Sequence, residues 1–510
     1  MIKLTKRRLT FLEPFSIFGG IMFSSIKRLT KHSLVYGVGH ILARFVGFLL
    51  LPLYTNKLPT TEFGVAAVVF SYLAVLTIVY TYGLDAAFLR YYILNDNPEE
   101  KRKIFSTAFW AIFTIAILFS VLIYFSSVTI SRVILSTNQY AHIFKLTSFI
   151  LLFDALAVLP FLYLRALEKS VIYTSLKFIN VVITVSLNLL FIVKMGKGVE
   201  GIFLANAWAS GITFFLVSPI LLKQIRLEFS KIHYFELLRF GLPYLPSTMA
   251  VVLLDLVDRF ILEKLAGLDV TGLYNAGYKL GMFMALFVTA FRFAWHPFFL
   301  STSRQENARE IFSRVLTYFT TIGAAIFLII SLFIDQIVRF EIFGFTLFGP
   351  DYWASTKVVP VILLAYLTYG IYVNFVVGIH LEKKTQYLPF VTGSGTAVNV
   401  LANFILIPKF GMMGAAYATL LGYGVMAILL YILVQRIYAI PYEFSRLLKL
   451  AGVVMVLFYL GYYFQWSQVI VFKLLVILSF PVLLLITGFF DKNELEKLKG
   501  ILRLKTITSN

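Results

Sequence analysis

Apolar runs of about twenty residues recur about fourteen times along this chain, and no other feature restricts its fold so strongly. At 1.5 Å per residue, each run as a helix crosses about 30 Å of hydrocarbon. The runs fall near 33–55, 63–90, 104–126, 143–165, 171–193, 199–222, 240–263, 271–300, 311–334, 357–380, 386–408, 411–434, 446–464 and 469–490. Backbone amides find no water in lipid, so segments of this kind must satisfy themselves as helices. Of the 510 residues 60% are hydrophobic and 14% charged, against about 25% charged in ordinary soluble domains. The expected fold class is an all-α polytopic membrane protein with about 14 transmembrane helices. No cysteine is present, which removes disulfides, thiolate metal sites and cysteine nucleophiles together.

The formal net charge of +20 invites a nucleic-acid reading, and its distribution argues against one. Lys and Arg sit in short connections between apolar runs, not along a soluble face with interleaved aromatics. Tallied over alternate connections, one side of the membrane collects about thirty Lys and Arg and the other about nine. By the positive-inside rule both termini lie in the cytoplasm of a multi-pass inner (cytoplasmic) membrane protein, and the helix count is even. Residues 1–20 are basic, contain Glu13 and Pro14 and lack the apolar core of a cleavable signal peptide.

An internal repeat organises the chain. Asn188-Leu-Leu-Phe-Ile-Val-Lys194-Met-Gly196 matches Asn403-Phe-Ile-Leu-Ile-Pro-Lys409-Phe-Gly411, and Lys57-Leu58 followed by Gly64 echoes Lys264-Leu265 followed by Gly272. Two six-helix lobes in the same orientation are therefore expected, related by an axis along the membrane normal. The expected division is a cytoplasmic arm at 1–32, a first lobe at 33–222 and a cytoplasmic amphipathic linker at 223–239. A second lobe at 240–435, two additional helices at 436–490 and a cytoplasmic tail at 491–510 complete it.

Charges inside the apolar runs are the candidate functional residues. A charge at the bilayer centre costs about 2.5–3.5 kcal/mol even on lenient scales, so it must face water, a partner or a ligand. His40 and Arg44 share one face of the first span at i and i+4. Asp255 and Arg259 have the same spacing with Asp258 nearby, so an intrahelical ion pair and a ligand site are both open readings. Lys279 lies near one end of the eighth span. Arg292 is deep in it and shares a face with His296, beside Trp295. Asp85 and Asp154 are lone carboxylates in spans two and four, and Asp85 has Arg90 within reach. Arg44, Lys279, Arg292 and Arg259 are candidates for binding an anion. Asp85, Asp154, Asp255 and Asp258 are candidates for ion coupling or pairing, and His40, His296 and Trp295 for lining or gating a cavity.

Other patterns carry less. Gly196-Lys-Gly-Val-Glu-Gly201 fits G-x-G-x-x-G, but it bridges two spans in a few residues and reads as a tight turn. No Walker lysine loop, His-Glu-x-x-His or Gly-x-Ser-x-Gly occurs, and the longest connection opposite the basic side, Asp335–Thr356, is short and mostly apolar, so no enzyme is expected. Pro160, Pro243, Pro246, Pro297, Pro360 and Pro389 fall inside or at the ends of spans, where each can kink or start a helix. The stretch Phe229–Phe240 is patterned for an interfacial helix.

Several segments together resemble a known family. They are Leu51-Pro-Leu-Tyr-Thr55 with Glu62-Phe-Gly64, Gly83-Leu-Asp-Ala-Ala-Phe-Leu-Arg90, Leu238-Arg-Phe-Gly-Leu-Pro243, Asp258-Arg259, Gly272-Leu-Tyr274, Ala294-Trp-His-Pro297 and Ile407-Pro-Lys-Phe-Gly-Met-Met-Gly-Ala-Ala416. In this order they resemble the polysaccharide transporter (Wzx-type) flippases of the multidrug/oligosaccharidyl-lipid/polysaccharide (MOP) exporter superfamily. The resemblance implies two six-helix lobes around a cationic cavity, alternating access and export of a polyprenyl-pyrophosphate-linked oligosaccharide for surface polysaccharide biosynthesis. A lipid II-type flippase and a cation-coupled multidrug antiporter are the alternatives. No cofactor is expected beyond Na⁺ or H⁺ coupling. Expected partners are the lipid-linked cargo and membrane lipid, with a glycan polymerase and glycosyltransferases nearby, around a monomeric transport unit.

Overall fold

The computed structural model describes residues 47–342, 345–464, 469–491 and 494–496. Most of the first expected span, with His40 and Arg44, lies outside the described residues. The described residues are helical almost throughout, and ten helices among them are long and apolar enough to cross a membrane. The first half comprises α1 (Leu51–Lys57), α2 (Thr60–Thr81), α3 (Leu84–Leu94), α4 (Pro98–Phe125), α5 (Ser127–Leu135), α6 (Ala141–Ala166), α7 (Ser170–Asn188) and α8 (Gly198–Gln224). A short helix, α9 (Lys231–Gly241), leads to α10 (Tyr244–Thr302), α11 (Ala308–Arg339), α12 (Val359–Leu381), α13 (Leu388–Phe410) and α14 (Met412–Ile437). Two further helices follow, α15 (Phe444–Tyr463) and α16 (Ile470–Ile486).

Glycines set the breaks between helices. The run expected at 63–90 is interrupted, as hydropathy did not show, where Tyr82 and Gly83 take left-handed backbone angles, φ 34° and 79°, which separate α2 from α3. The seventh and eighth runs are two helical halves of α10 that meet at a kink at Gly267, between the expected runs, where φ is 87° and a side chain would be strained. Gly196 and Gly411, matching residues of the internal repeat, both have positive φ, 61° and 54°. Each turns the chain from one spanning helix into the next. Of the prolines, Pro360 and Pro389 occupy helix first turns, where no backbone donor is lost, while Pro160 and Pro297 lie inside helices.

The two halves meet along α2 and α10. A Cβ on Gly64 would stand 2.0 Å from the carbonyl oxygen of Leu268, and one on Gly272 would stand 2.0 Å from that of Thr60. The contact is reciprocal: residues 60 and 64 meet 268 and 272, four residues displaced by one offset. Such mutual exchange is what an isologous, twofold-type interface makes. Around it Thr60 Oγ1 donates to Asp269 at 2.7 Å and Lys264 donates to Ser136 at 2.8 Å. This end of the bundle carries few basic residues and is called the sparse end below.

The connection 335–356 closes over the sparse end. A two-residue hairpin pairs Glu341 with Thr346, and a 3-10 helix, Pro350–Val358, follows. Tyr352 is fully buried and donates to the carbonyl of Leu58 at 2.9 Å, while Asn56 donates to that of Thr346 at 2.8 Å. At the opposite, basic end Gly83 and Gly241 press backbone to backbone. Between the end of α2 and the start of α10 an apolar cleft of about 290 Å³ opens, lined by Val79, Tyr82, Leu245, Pro246 and Met249.

Buried charges fasten the last two helices. Lys473 of α16 donates to Gln336 at 3.0 Å and to the carbonyl of Leu332 in α11. Arg446 of α15 meets Glu443 and Glu494, each at 3.0 Å, and Glu494 accepts from Tyr318 of α11 at 2.5 Å.

Candidate functional site

Asp258 and Arg259 form a sealed unit in the second lobe. Arg259 Nη1 donates to Asp258 Oδ1 at 2.6 Å, and Tyr274 donates to Asp258 Oδ2 at 2.5 Å. The guanidinium lies over Tyr278 at 3.9 Å and Tyr274 at 5.4 Å. Exposure of the two charged residues is 0% and 3%, so no ligand reaches them. The i, i+4 spacing made Asp255 an equal candidate for this partnership. Instead the Asp255 carboxylate accepts from Tyr423 of α14, and only its backbone carbonyl serves Arg259. Tyr278 and Tyr366 hydrogen-bond at 2.8 Å and extend the closed network to α12. Arg259, expected to bind an anion, is therefore committed to its own carboxylate.

Lys279 and Arg292 differ from Arg259: no carboxylate pairs with either among the described residues. Lys279 lies deep at the seam between the lobes, with Nζ 5.1 Å from the Phe63 ring and 5.7 Å from that of Tyr54, and it keeps partial access to water. Tyr54 in turn donates to Asn188 at 2.9 Å. Arg292 is exposed and donates to Tyr369 of α12 at 3.3 Å. The two cations do not stand at one point. Thirteen helical residues separate them, about 20 Å along the axis and over three and a half turns, so they face nearly opposite ways.

The remaining candidates divide as cleanly. His296 is exposed, and its ring stands 5.4 Å from that of His380 on α12. Trp295, expected to line or gate a cavity, is instead packed among Phe291, Phe298 and Phe312 at 5.4–5.7 Å, with 4% exposure. Asp85 sits in the first turn of α3, where the amino-end dipole favours a carboxylate, and Arg90, the partner within reach by sequence, lies over Phe240 at 4.7 Å. Asp154, at the middle of α6, is exposed, accepts from Ser210 of α8 and has Lys177 of α7 as its charged neighbour. Lys177 escaped the sequence reading although it interrupts the apolar run 171–193, the same signal that singled out Asp154. Tyr369 and Tyr423 escaped for another reason: tyrosine is common in this chain, 29 residues, and only packing shows which ones face charges.

Residues 29–303 match the family described as polysaccharide biosynthesis protein. An uncharacterized membrane protein of Methanocaldococcus jannaschii is 22% identical over 440 residues, covering 79% of this chain and 82% of that one. Among solved structures, the lipid II flippase MurJ in an inward closed conformation superposes with a TM-score of 0.71 at 17% identity, over 88% of this chain and 98% of that one. An inward-facing multidrug resistance MATE family transporter of the MOP superfamily gives 0.59 at 14% identity, over 79% and 95%. At such identities these structures show the fold. The matched segment spans more than half of the 510 residues, and with it the chain belongs to the polysaccharide biosynthesis protein family, on the multi-pass helical fold of the MOP superfamily.

Proposed function

We propose that this protein is a flippase that moves a polyprenyl-pyrophosphate-linked oligosaccharide from the cytoplasmic to the outer leaflet of the cell inner membrane. The observation that carries the reading is the pair of membrane-depth cations without carboxylate partners, Lys279 and Arg292. A multi-pass protein of the polysaccharide biosynthesis family has a use for such cations if its cargo is anionic. With the basic end and both termini in the cytoplasm, Arg292 is the nearer of the two to an entering pyrophosphate, and Lys279 lies farther along. The anion is thus handed along the long helix instead of being held by both groups at once. Charge-assisted hydrogen bonds from such donors replace the water that phosphate loses.

The prenyl chain stays in lipid, and the apolar cleft at Val79, Leu245 and Met249 suits its passage. A negative cytoplasm drives an anion outward by about 2.3 kcal/mol per charge per 100 mV. Coupling to Na⁺ or H⁺ at a carboxylate of the second lobe such as Asp255 then serves only to reset the empty carrier. A monomer suffices, with a glycan polymerase and glycosyltransferases acting before and after it.

Replacement of Arg292 by Ala should abolish glycan export and leave lipid-linked precursor facing the cytoplasm at normal protein levels. Wild-type export by that variant, together with Lys279→Ala, rejects the assignment. The TM-score of 0.71 to the lipid II flippase favours one second reading, a lipid II-type precursor as cargo. Rescue of growth in cells depleted of their lipid II flippase supports that cargo; failure to rescue, with restored surface glycan in an export-deficient strain, supports the oligosaccharide.

A further inference from the structure

We infer that the first lobe carries a sugar-binding subsite, formed by Asp154, Lys177, Asn180, Ser210 and Thr213, that receives the neutral glycan of the cargo; this rests on the flippase reading above. The five residues come from three successive helices and fall in one band, about 10–21 Å along the helices from the basic end. Asp154 lies twelve residues before the end of α6 at Ala166, about 18 Å along the axis from the basic end. Asn180 lies ten residues after the start of α7 at Ser170, and Thr213 eleven before the end of α8 at Gln224, about 15–17 Å from that same end. Three largely apolar helices thus place Asp154, Asn180 and Thr213 at about one level, with Lys177 and Ser210 within two turns of it.

The geometry leaves the carboxylate accessible. Asp154 is exposed although its neighbours Leu151, Ala155 and Leu156 are buried, so its own lobe does not seal it. Ser210 donates to it, and Asn180 Nδ2 donates to Thr213 Oγ1 at 2.8 Å, a bond that does not use the Asn180 amide oxygen. Lys177 is drawn to the face of Phe161, Nζ 4.1 Å from the ring, which holds the ammonium near the carboxylate without a contact ion pair. Phe161 meets Tyr173 edge-on at 5.4 Å, and Phe153 meets Phe214 at 5.9 Å, so aromatic surface borders the polar group.

The charge balance selects the ligand. One carboxylate and one ammonium sum to zero, so a phosphate gains nothing here and meets the repulsion of Asp154. A free cation finds its place already taken by Lys177. What remains is a neutral, hydroxyl-rich group, for which planar Asp and Asn acceptors, an ammonium donor and nearby aromatic faces are the appropriate chemistry. The lobes then divide the headgroup: unpaired cations on α10 for the pyrophosphate, a charge-balanced polar cluster on α6–α8 for the sugar.

The test uses the full-length protein in detergent, titrated separately with undecaprenyl pyrophosphate and with the lipid-linked oligosaccharide fraction extracted from the source cells. The wild type should bind the glycan-bearing lipid about tenfold or more tighter, the value of a hydrogen bond or two to a charged group. Asp154→Ala and Asn180→Ala should erase that preference and leave affinity for the bare lipid within about twofold. Asp154→Asn, which preserves shape, should give an intermediate loss. Arg292→Ala should weaken both lipids equally. Retention of the glycan preference in Asp154→Ala and Asn180→Ala, or no preference in the wild type that binds both lipids, overturns the subsite and leaves the flippase reading standing. Binding of neither lipid by the wild type overturns both.

Discussion

Each lobe sets an aspartate beside a cation at membrane depth, and the two treat that pair in opposite ways. In the second lobe Asp258 and Arg259 touch at 2.6 Å, capped by Tyr274 and roofed by Tyr278, with no access to solvent. In the first, Asp154 remains exposed and Lys177 leans on an aromatic ring. Both arrangements solve the same electrostatic problem, since charge in hydrocarbon must be neutralised or kept hydrated. The sealed pair neutralises itself and has nothing left for a ligand. The open pair leaves its carboxylate accessible to a ligand. Exposure, more than the presence of charge, distinguishes the two pairs in this protein.

The sharpest way to break this comparison is Asp258→Ala. It strands the Arg259 guanidinium in the core and should cost about 3–5 kcal/mol, seen as a lower melting temperature in detergent and less protein in the membrane. A variant that melts like the wild type removes the distinction. Next, Tyr274→Phe should cost about 1–3 kcal/mol by the same measurement, because one buried acceptor loses its donor. Asp154→Ala should shift stability by no more than about 0.5 kcal/mol, the range of a solvated position, while glycan export falls. An equal drop in melting temperature for Asp154→Ala and Asp258→Ala would show that both pairs are structural.

The smallest effect concerns the helix between the lobes. His233 of α9 meets Glu100 of α4 at 2.8 Å and Glu236 at 3.0 Å. Burial opposes its charge, but hydrogen bonds to Glu236 and Glu100 outweigh that and raise its pKa above the usual 6.5. A raised folded pKa contributes docking free energy that is complete below about 6.5 and fades as pH climbs through the raised value. Hydrogen exchange across 231–241 should therefore quicken slightly from pH 6 to pH 9, beyond the intrinsic base dependence. Glu100→Gln should flatten that change; an unaltered profile in this variant would assign the docking to apolar packing alone.

Length and apolarity made the spanning helices legible, because the bilayer imposes both in the sequence itself. Breaks were harder to read. Gly83 sits within the apolar run 63–90, and hydropathy assigns no penalty to a left-handed turn, whereas the break at Gly267 falls between two runs and was legible. Among the charges, helical periodicity put Asp255 and Asp258 on nearly one face and could not choose between them. Tyr423, 168 residues from Asp255, made the choice through tertiary contact. Trp295 failed as a cavity residue because it is one residue, about 100° of helical rotation, from His296, which turns its ring into Phe291, Phe298 and Phe312.

The glycine seam joining α2 to α10 has a mechanical consequence. With no side chains interlocked at residues 64 and 272, the two halves bear on each other as bare backbone, like two rods touching at a fulcrum. A tilt of a few degrees about that point would grow into several ångströms at the far mouth of the bundle. A single methyl inserted at that point is therefore a wedge, and its effect should be felt farthest from where it sits.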